Sequence, residues 1–248
     1  REGFDPSHLD GLRAPSVAVD EWAGWIWINL AGPHRAPPLA EAIGPEITAD
    51  LGRYRMEDMT LLEVLEWDVP VSYKAVVDGF NEIYHTHQLH GVSSEWVAAA
   101  QATSFHIVGD NSMCFVPRAE HLDALADDWD HHRYAICHYL VFPNTVFNCN
   151  PGHLQVFQPI PVDVDRTRFL CWELIYPDTG DDPDYATYLE RTMAHWDVLK
   201  GVVGEDIGIY EQLARTKRSS GYTRNVLQAR ECKLALYHEQ MDRKIRGS

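Results

Sequence analysis

Apolar and aromatic positions in this chain fall into short runs whose period changes from two to about four and back. Residues 24–30, Gly-Trp-Ile-Trp-Ile-Asn-Leu, are aromatic and β-branched and end at the turn Ala31-Gly32-Pro33, which predicts a strand. The Pro-rich stretch His34-Arg35-Ala36-Pro37-Pro38 is the one plausible internal boundary. Residues 39–51 read as a short amphipathic helix interrupted by Gly44-Pro45, and 59–69 as a strand carrying Leu61, Leu62, Val64 and Leu65. From Pro70 the period becomes helical, with Tyr73, Val76, Val77, Phe80 and Tyr84 on one face, so a helix is expected over 70–85 with Gly91 placed to cap its end.

Strand patterns then dominate, at 103–108, 113–116, 134–142, 145–148, 154–159 and 168–175. Gly109-Asp110-Asn111, Pro143-Asn144, Pro151-Gly152 and 161–165 supply the turns of an antiparallel meander. Helices are expected over 185–200, 204–215 and 227–245, with a polar run at 216–223. The expected class is α+β: a curved antiparallel sheet with helices gathered at one side.

Composition narrows the function classes. With 45% hydrophobic and 23% charged residues in 248, the chain has enough apolar content for a real core and reads as one domain, or one large domain plus part of another. The 21 basic and 37 acidic residues give a net charge of −16, which argues against nucleic acid or an anionic membrane as the main partner. No apolar run approaches the roughly 20 residues of a membrane span, and no secretion signal is visible. The five cysteines are scattered, which fits a reducing cytoplasm, and each is read as a small buried hydrophobe.

The candidate chemistry sits in Asn81-Glu-Ile-Tyr-His-Thr-His-Gln-Leu-His90. Glu82, His85 and His90 suggest a metal site with open coordination positions, and Asp206, in the run 202–210, is the best candidate for a ligand from elsewhere. Asp206 reads equally well as a charge complementing a helix N-terminus. Glu82 and His85 share a helix face, but His85 and His90, five apart, lie about 140° apart around a regular helix. Either the helix loosens by a π-type turn or His90 lies just past its end, and Gly91 favours the second. His87, between the two, reads as a helix-face residue. Among 13 histidines one H-x4-H pair is close to chance, so the specificity comes from adding Glu82, Tyr84 and the upstream Tyr73-Lys74. A di-iron site would need a second Glu-x-x-His, a zincin H-E-x-x-H, and a zinc ribbon paired C-x2-C units; none is present.

Glu-x-Tyr-His-x4-His, preceded by an aromatic-Lys pair and followed far downstream by Glu205-Asp206, resembles the catalytic domain of Rieske-type non-heme iron oxygenases, the ring-hydroxylating oxygenase α subunits. Phe142-Pro-Asn-Thr145, Gln158-Pro-Ile-Pro161 and Leu236-Tyr-His238 extend the likeness, and Glu21–Leu30 resembles the tail of their Rieske domain. The resemblance implies a helix-grip (START/Bet v1-like) sheet around a substrate cavity. Fe(II) would be held by His85, His90 and Asp206. It implies that Glu82 does not bind iron but links His85 to the Rieske cluster of a neighbouring subunit in a homotrimer, with or without β subunits, fed by a ferredoxin or reductase. Residues 1–38 would be the end of a Rieske domain plus connector, and 39–248 the mononuclear-iron domain. Two positions depart from the pattern: Glu82 is longer than the Asp common there, and Gly79 replaces a frequent Asn. The C-x-H and C-x2-H pairs that hold a Rieske [2Fe-2S] cluster are missing, so a catalytic fragment is expected.

The implied activity is O2-dependent hydroxylation or dihydroxylation of an aromatic or small organic substrate, or N- or O-demethylation, for example of a quaternary amine. Val77, Phe80, Phe105, Val203 and Ile207 are the expected pocket residues, by proximity to the ligands or by strand position. Two alternatives stand beside this: a metal-free helix-grip module binding an apolar ligand, and a structural zinc site.

Overall fold

The computed structural model describes residues 11–91, 102–124, 129–180 and 182–247. The first elements are a two-stranded antiparallel hairpin, β1 (Ala18–Trp22) and β2 (Trp25–Asn29). The helix expected over 39–51 is two helices, α1 (Leu39–Ile43) and α2 (Pro45–Leu51). They part at Gly44, whose φ of 90° suits glycine alone, and Pro45 starts the second. There follow β3 (Thr60–Val69), α3 (Tyr73–Phe80), α4 (Thr86–Leu89), β4 (Ser104–Val108), β5 (Asn111–Pro117), α5 (His131–Tyr134) and β6 (Ala135–Val141). The chain continues through β7 (Thr145–Asn150), β8 (His153–Asp163), β9 (Arg166–Ile175), α6 (Tyr185–Lys217) and α7 (Cys232–Arg246).

Strands β4 to β9 form a continuous antiparallel meander, and β3 pairs with β9 to complete a seven-stranded sheet in the order β3-β9-β8-β7-β6-β5-β4. Alternation along the strands gives the sheet two apolar faces. Cys137, Tyr139, Phe147, Cys149 and Leu154 face α1, α2 and the hairpin tryptophans, packing on Ile43, Ile47 and Leu51. Val146, Phe157, Phe169 and Cys171 face the longer helices, packing on Val76, Val77, Trp196, Leu199, Val203 and Tyr237.

Three expectations need correction. The helix over 70–85 stops at Phe80, because the Glu82 carboxylate takes the backbone N–H groups of Tyr84 and His85 that a continuing helix would bond. The helices over 185–200 and 204–215 are one helix of 33 residues. Gly201 and Gly204 each cost about 1 kcal/mol relative to alanine in its interior, and the buried stripe Trp196, Leu199, Val203, Tyr210 carries the helix across them. Cys232, at the start of α7, is exposed, while the other four cysteines are buried. Among the described residues, no helix is long and apolar enough to cross a membrane.

Candidate metal centre

The segment between α3 and α4 is built around one carboxylate. Glu82 Oε2 accepts from the backbone N–H of Tyr84 and, at 3.1 Å, of His85, while Oε1 meets His85 Nδ1. This fixes the ring of His85 and turns its Nε2 away from Glu82. His90 ends α4 as its C-cap, buried, with Nδ1 held by Glu205 Oε2 at 2.7 Å. The expectation that His90 lies at a helix end agrees with this position, although the helix is the short α4.

Asp206 comes from the middle of α6, so it is not the N-terminal helix charge that remained open from sequence. Thr192, Trp196, Leu199, Val203, Asp206 and Tyr210 recur at three- and four-residue intervals and are all buried, so a carboxylate occupies a place in an otherwise largely apolar stripe. It lies at the meeting point of the two imidazoles: His85 Nε2 and His90 Nε2 are each 3.5 Å from Asp206 Oδ1. Burial lifts the Asp206 carboxyl to about 6, against the opposing pull of His85 and His90. Burial lowers His85, but the Glu82 hydrogen bond and the charges of Glu82 and Asp206 outweigh it and leave its pKa raised.

The three atoms suit a cation. Ligands bound to one ion at about 2.1 Å lie roughly 3.0–3.5 Å from one another, and two imidazoles with one carboxylate are a donor set of non-heme Fe(II). Each histidine has its other ring nitrogen on a carboxylate, the arrangement that orients a ligating imidazole and raises its basicity. A cavity of about 100 Å³ adjoins the triad. Its walls are largely apolar, with Phe80, Val116, Ile136, Phe157, Leu199 and Val203 among them.

A model of the ring hydroxylating alpha subunit (catalytic domain) matches residues 56–247. The chain belongs to this family. It is 23% identical to the carnitine monooxygenase oxygenase subunit of Acinetobacter pittii (strain PHEA-2) over 89% of its own length and 57% of that protein's. Its fold is similar to that of the quaternary ammonium Rieske monooxygenase CntA in complex with L-carnitine, with a TM-score of 0.66 and 18% identity over 95% of this chain and 64% of that one. It is also similar to naphthalene 1,2-dioxygenase with indole bound, with a TM-score of 0.57 and 15% identity over 82% and 53% of the two chains. The chain thus spans less than two thirds of the length of these relatives.

Of the residues named from sequence, the ring hydroxylating fold brings together His85, His90 and Asp206, with Glu82 behind His85. Phe80 and Val203 line the cavity. Val77 is buried in the core against α6 and α7, and Ile207 packs on that core. Phe105 packs with Ile83, Cys114, Val116 and Ile136 beside the cavity. Sequence reasoning named Glu205 only as the neighbour of Asp206, without its role behind His90, and gave no role to the polar wall His138 and Asn148. Both wall residues sit inside apolar strands, and a lone polar side chain at such a position is the signal that could have found them. Burial beside Lys233 and His85 pushes His138 down to about 3.

Proposed function

We propose that this catalytic domain is an iron-dependent oxygenase, with Fe(II) held by His85 Nε2, His90 Nε2 and the Asp206 carboxylate. The observation that carries the reading is the convergence of both Nε2 atoms, 3.5 Å each, on one buried carboxylate oxygen. When bound, the ion supplies a place for O2 to be reduced beside the substrate. Glu82 and Glu205 keep the two rings aimed, each meeting an Nδ1 so that Nε2 is turned toward Asp206. Phe80, Phe157, Leu199 and Val203 exclude water and hold an apolar substrate against the triad.

Glu82 would also serve as the electron-path carboxylate to a Rieske [2Fe-2S] cluster, which would supply electrons from a ferredoxin or reductase and for which these 248 residues carry no C-x-H and C-x2-H ligand pairs. The assembly is a homotrimer in the cytoplasm. Residues 1–38 belong to the end of a Rieske domain plus connector. The exposed outer residues Val19, Ile26 and Ile28 of the β1–β2 hairpin support this, since they offer an apolar face to further structure. Hydroxylation of a small, largely apolar substrate is the leading chemistry. Demethylation of a quaternary amine is the second reading, supported by the relative named carnitine monooxygenase oxygenase subunit.

Anaerobic Fe(II) reconstitution tests the metal site. One iron per chain is expected, and none in Asp206→Ala. A wild type without stoichiometric iron, or an Asp206→Ala variant that keeps it, would leave the metal-free binding module as the better reading.

A further inference from the structure

One row of side chains crosses the sheet on the face turned toward α6. His138 on β6, Asn148 on β7, Gln155 on β8 and Glu173 on β9 stand opposite one another in register. Gln155 and Glu173 are 0% exposed and Asn148 is 5% exposed. Inside such a row every amide must point one way or the other, and here the direction is dictated from one end. The Glu173 carboxylate, which His153 Nδ1 meets at 2.6 Å, offers acceptor oxygens, so Gln155 turns its Nε2 toward it. Gln155 Oε1 then faces β7, where it accepts from Asn148 Nδ2 at 2.7 Å and from Asn150 Nδ2 at 3.1 Å.

With its Nδ2 committed, Asn148 has its Oδ1 buried without a partner, and the residue lines the cavity beside the triad. Across the strand pair, His138 lines the same cavity, and its Nδ1 is likewise buried without a partner. The remaining cavity wall on the sheet side is apolar, from Val116, Ile136 and Phe157. We infer that Asn148 and His138 form the polar end of the substrate cavity, and that its ligand is an apolar body carrying an O–H or N–H donor for Asn148 Oδ1. This deepens the oxygenase reading and rests on the cavity being its substrate site. A donor satisfies an oxygen that otherwise stays unpaired, whereas an analogue without one leaves it so. Built hydrogen-bonding sites discriminate strongly against such analogues.

Matched probes test this in calorimetric titrations of the full chain: indole against 1-methylindole, and phenol against anisole. Each titration is run on metal-free and on Fe(II)-loaded protein under anaerobic conditions. The donor-bearing member of each pair should bind at least about 10-fold tighter to the wild type. The preference should shrink to within roughly 2-fold in Asn148→Leu, which removes the acceptor at similar volume. Asn148→Ala serves where leucine disturbs the strand, with thermal melting reporting whether each variant folds. Equal binding of both members, binding of neither, or a preference that survives in a folded variant overturns the inference. Iron uptake by the same samples separates the two readings. A donor preference without iron sinks the oxygenase reading and leaves the polar end standing. Bound iron without a donor preference sinks the polar end alone.

Discussion

Two clusters among the described residues have the same composition, and they differ in how their members meet. His85, His90 and Asp206 form the first; His131, His132 and Asp50 form the second. In each, the potential ligand atoms lie within 4.8 Å of one another. In the second, the groups satisfy one another. Asp50 Oδ1 accepts from His131 Nε2 at 2.9 Å and His132 Nε2 at 3.0 Å, and Oδ2 accepts from Tyr139 Oη at 2.6 Å. Burial alone would raise the Asp50 carboxyl, yet these hydrogen bonds hold it well below the usual carboxylate range. In the first, both imidazoles stop 3.5 Å short of Asp206, too far for a good hydrogen bond, and burial wins. Residue types alone do not separate a structural clasp from a metal centre. The spacing differs: His85 and His90, backed by Glu82 and Glu205, stand 3.5 Å from Asp206, whereas the second cluster closes on itself at 2.9–3.0 Å.

The sharpest way to break this comparison is to remove each carboxylate in turn. Asp50→Ala leaves two half-buried imidazoles and the Tyr139 hydroxyl without their acceptor, so it should destabilise the fold by about 3 kcal/mol. Its iron content after reconstitution should match the wild type. Asp206→Asn in metal-free protein removes a buried charge whose burial outweighs its attraction to His85 and His90, each 3.5 Å away, so its stability should stay within about 1 kcal/mol of the wild type. Urea denaturation of both variants, with iron analysis alongside, checks the pair. Iron lost in Asp50→Ala with the fold intact would make the second cluster the metal centre.

Acid separates the regions more finely. The folded-state pKa of Asp50 is depressed below its unfolded value. Its contribution is therefore present above the unfolded pKa of about 3.9 and is lost as pH falls through the folded value. The stability gap between wild type and Asp50→Asn should narrow as pH drops from 5 to 3. The change should be about 1 kcal/mol at most, reduced by solvent screening at a carboxylate that is partly exposed. Melting curves across that range read it directly. A gap that widens toward pH 3 would mean the carboxylate is not acting as the ionised acceptor of the clasp.

Much of this was legible in the sequence, because the signals were local. Turn residues marked the meander, Gly44-Pro45 marked a break, and Glu82, His85 and His90 lay within nine residues of one another. What escaped depended on contacts distant in sequence. The helix end at Phe80 follows from Glu82 folding back on the next residues, which periodicity does not report. Glu205 gains meaning only when α6 lies beside α4, since its partner His90 is 115 residues away. The row His138, Asn148, Gln155 and Glu173 draws one residue from each of four strands, so no segment shows it. The second histidine cluster escaped for the same reason, with Asp50 on α2 and its partners on α5.

The gap at the candidate metal centre depends on how closely α3 approaches α6, and Gly79 permits that approach. A Cβ built on Gly79 would stand 2.6 Å from Tyr210 Oη, a hydroxyl that donates to Val76 O at 3.4 Å. Tyr210 is one turn beyond Asp206, and Gly79 lies just before the segment carrying Glu82 and His85. A side chain at position 79 would not fit here without moving Tyr210. Gly79→Ala gains up to about 1 kcal/mol of helix propensity but loses about 1–3 kcal/mol to overpacking, for a net destabilisation of about 1 kcal/mol. Because the strain lies between the two ligand-bearing elements, iron affinity should fall with it while the Asp50 clasp is untouched. Tyr210→Phe, which deletes the clashing oxygen, should restore most of both losses in the double variant. Urea melts and Fe(II) titrations of the four proteins complete the cycle. An alanine as well tolerated with Tyr210 as with phenylalanine would show that α3 and α6 are not held apart at this contact.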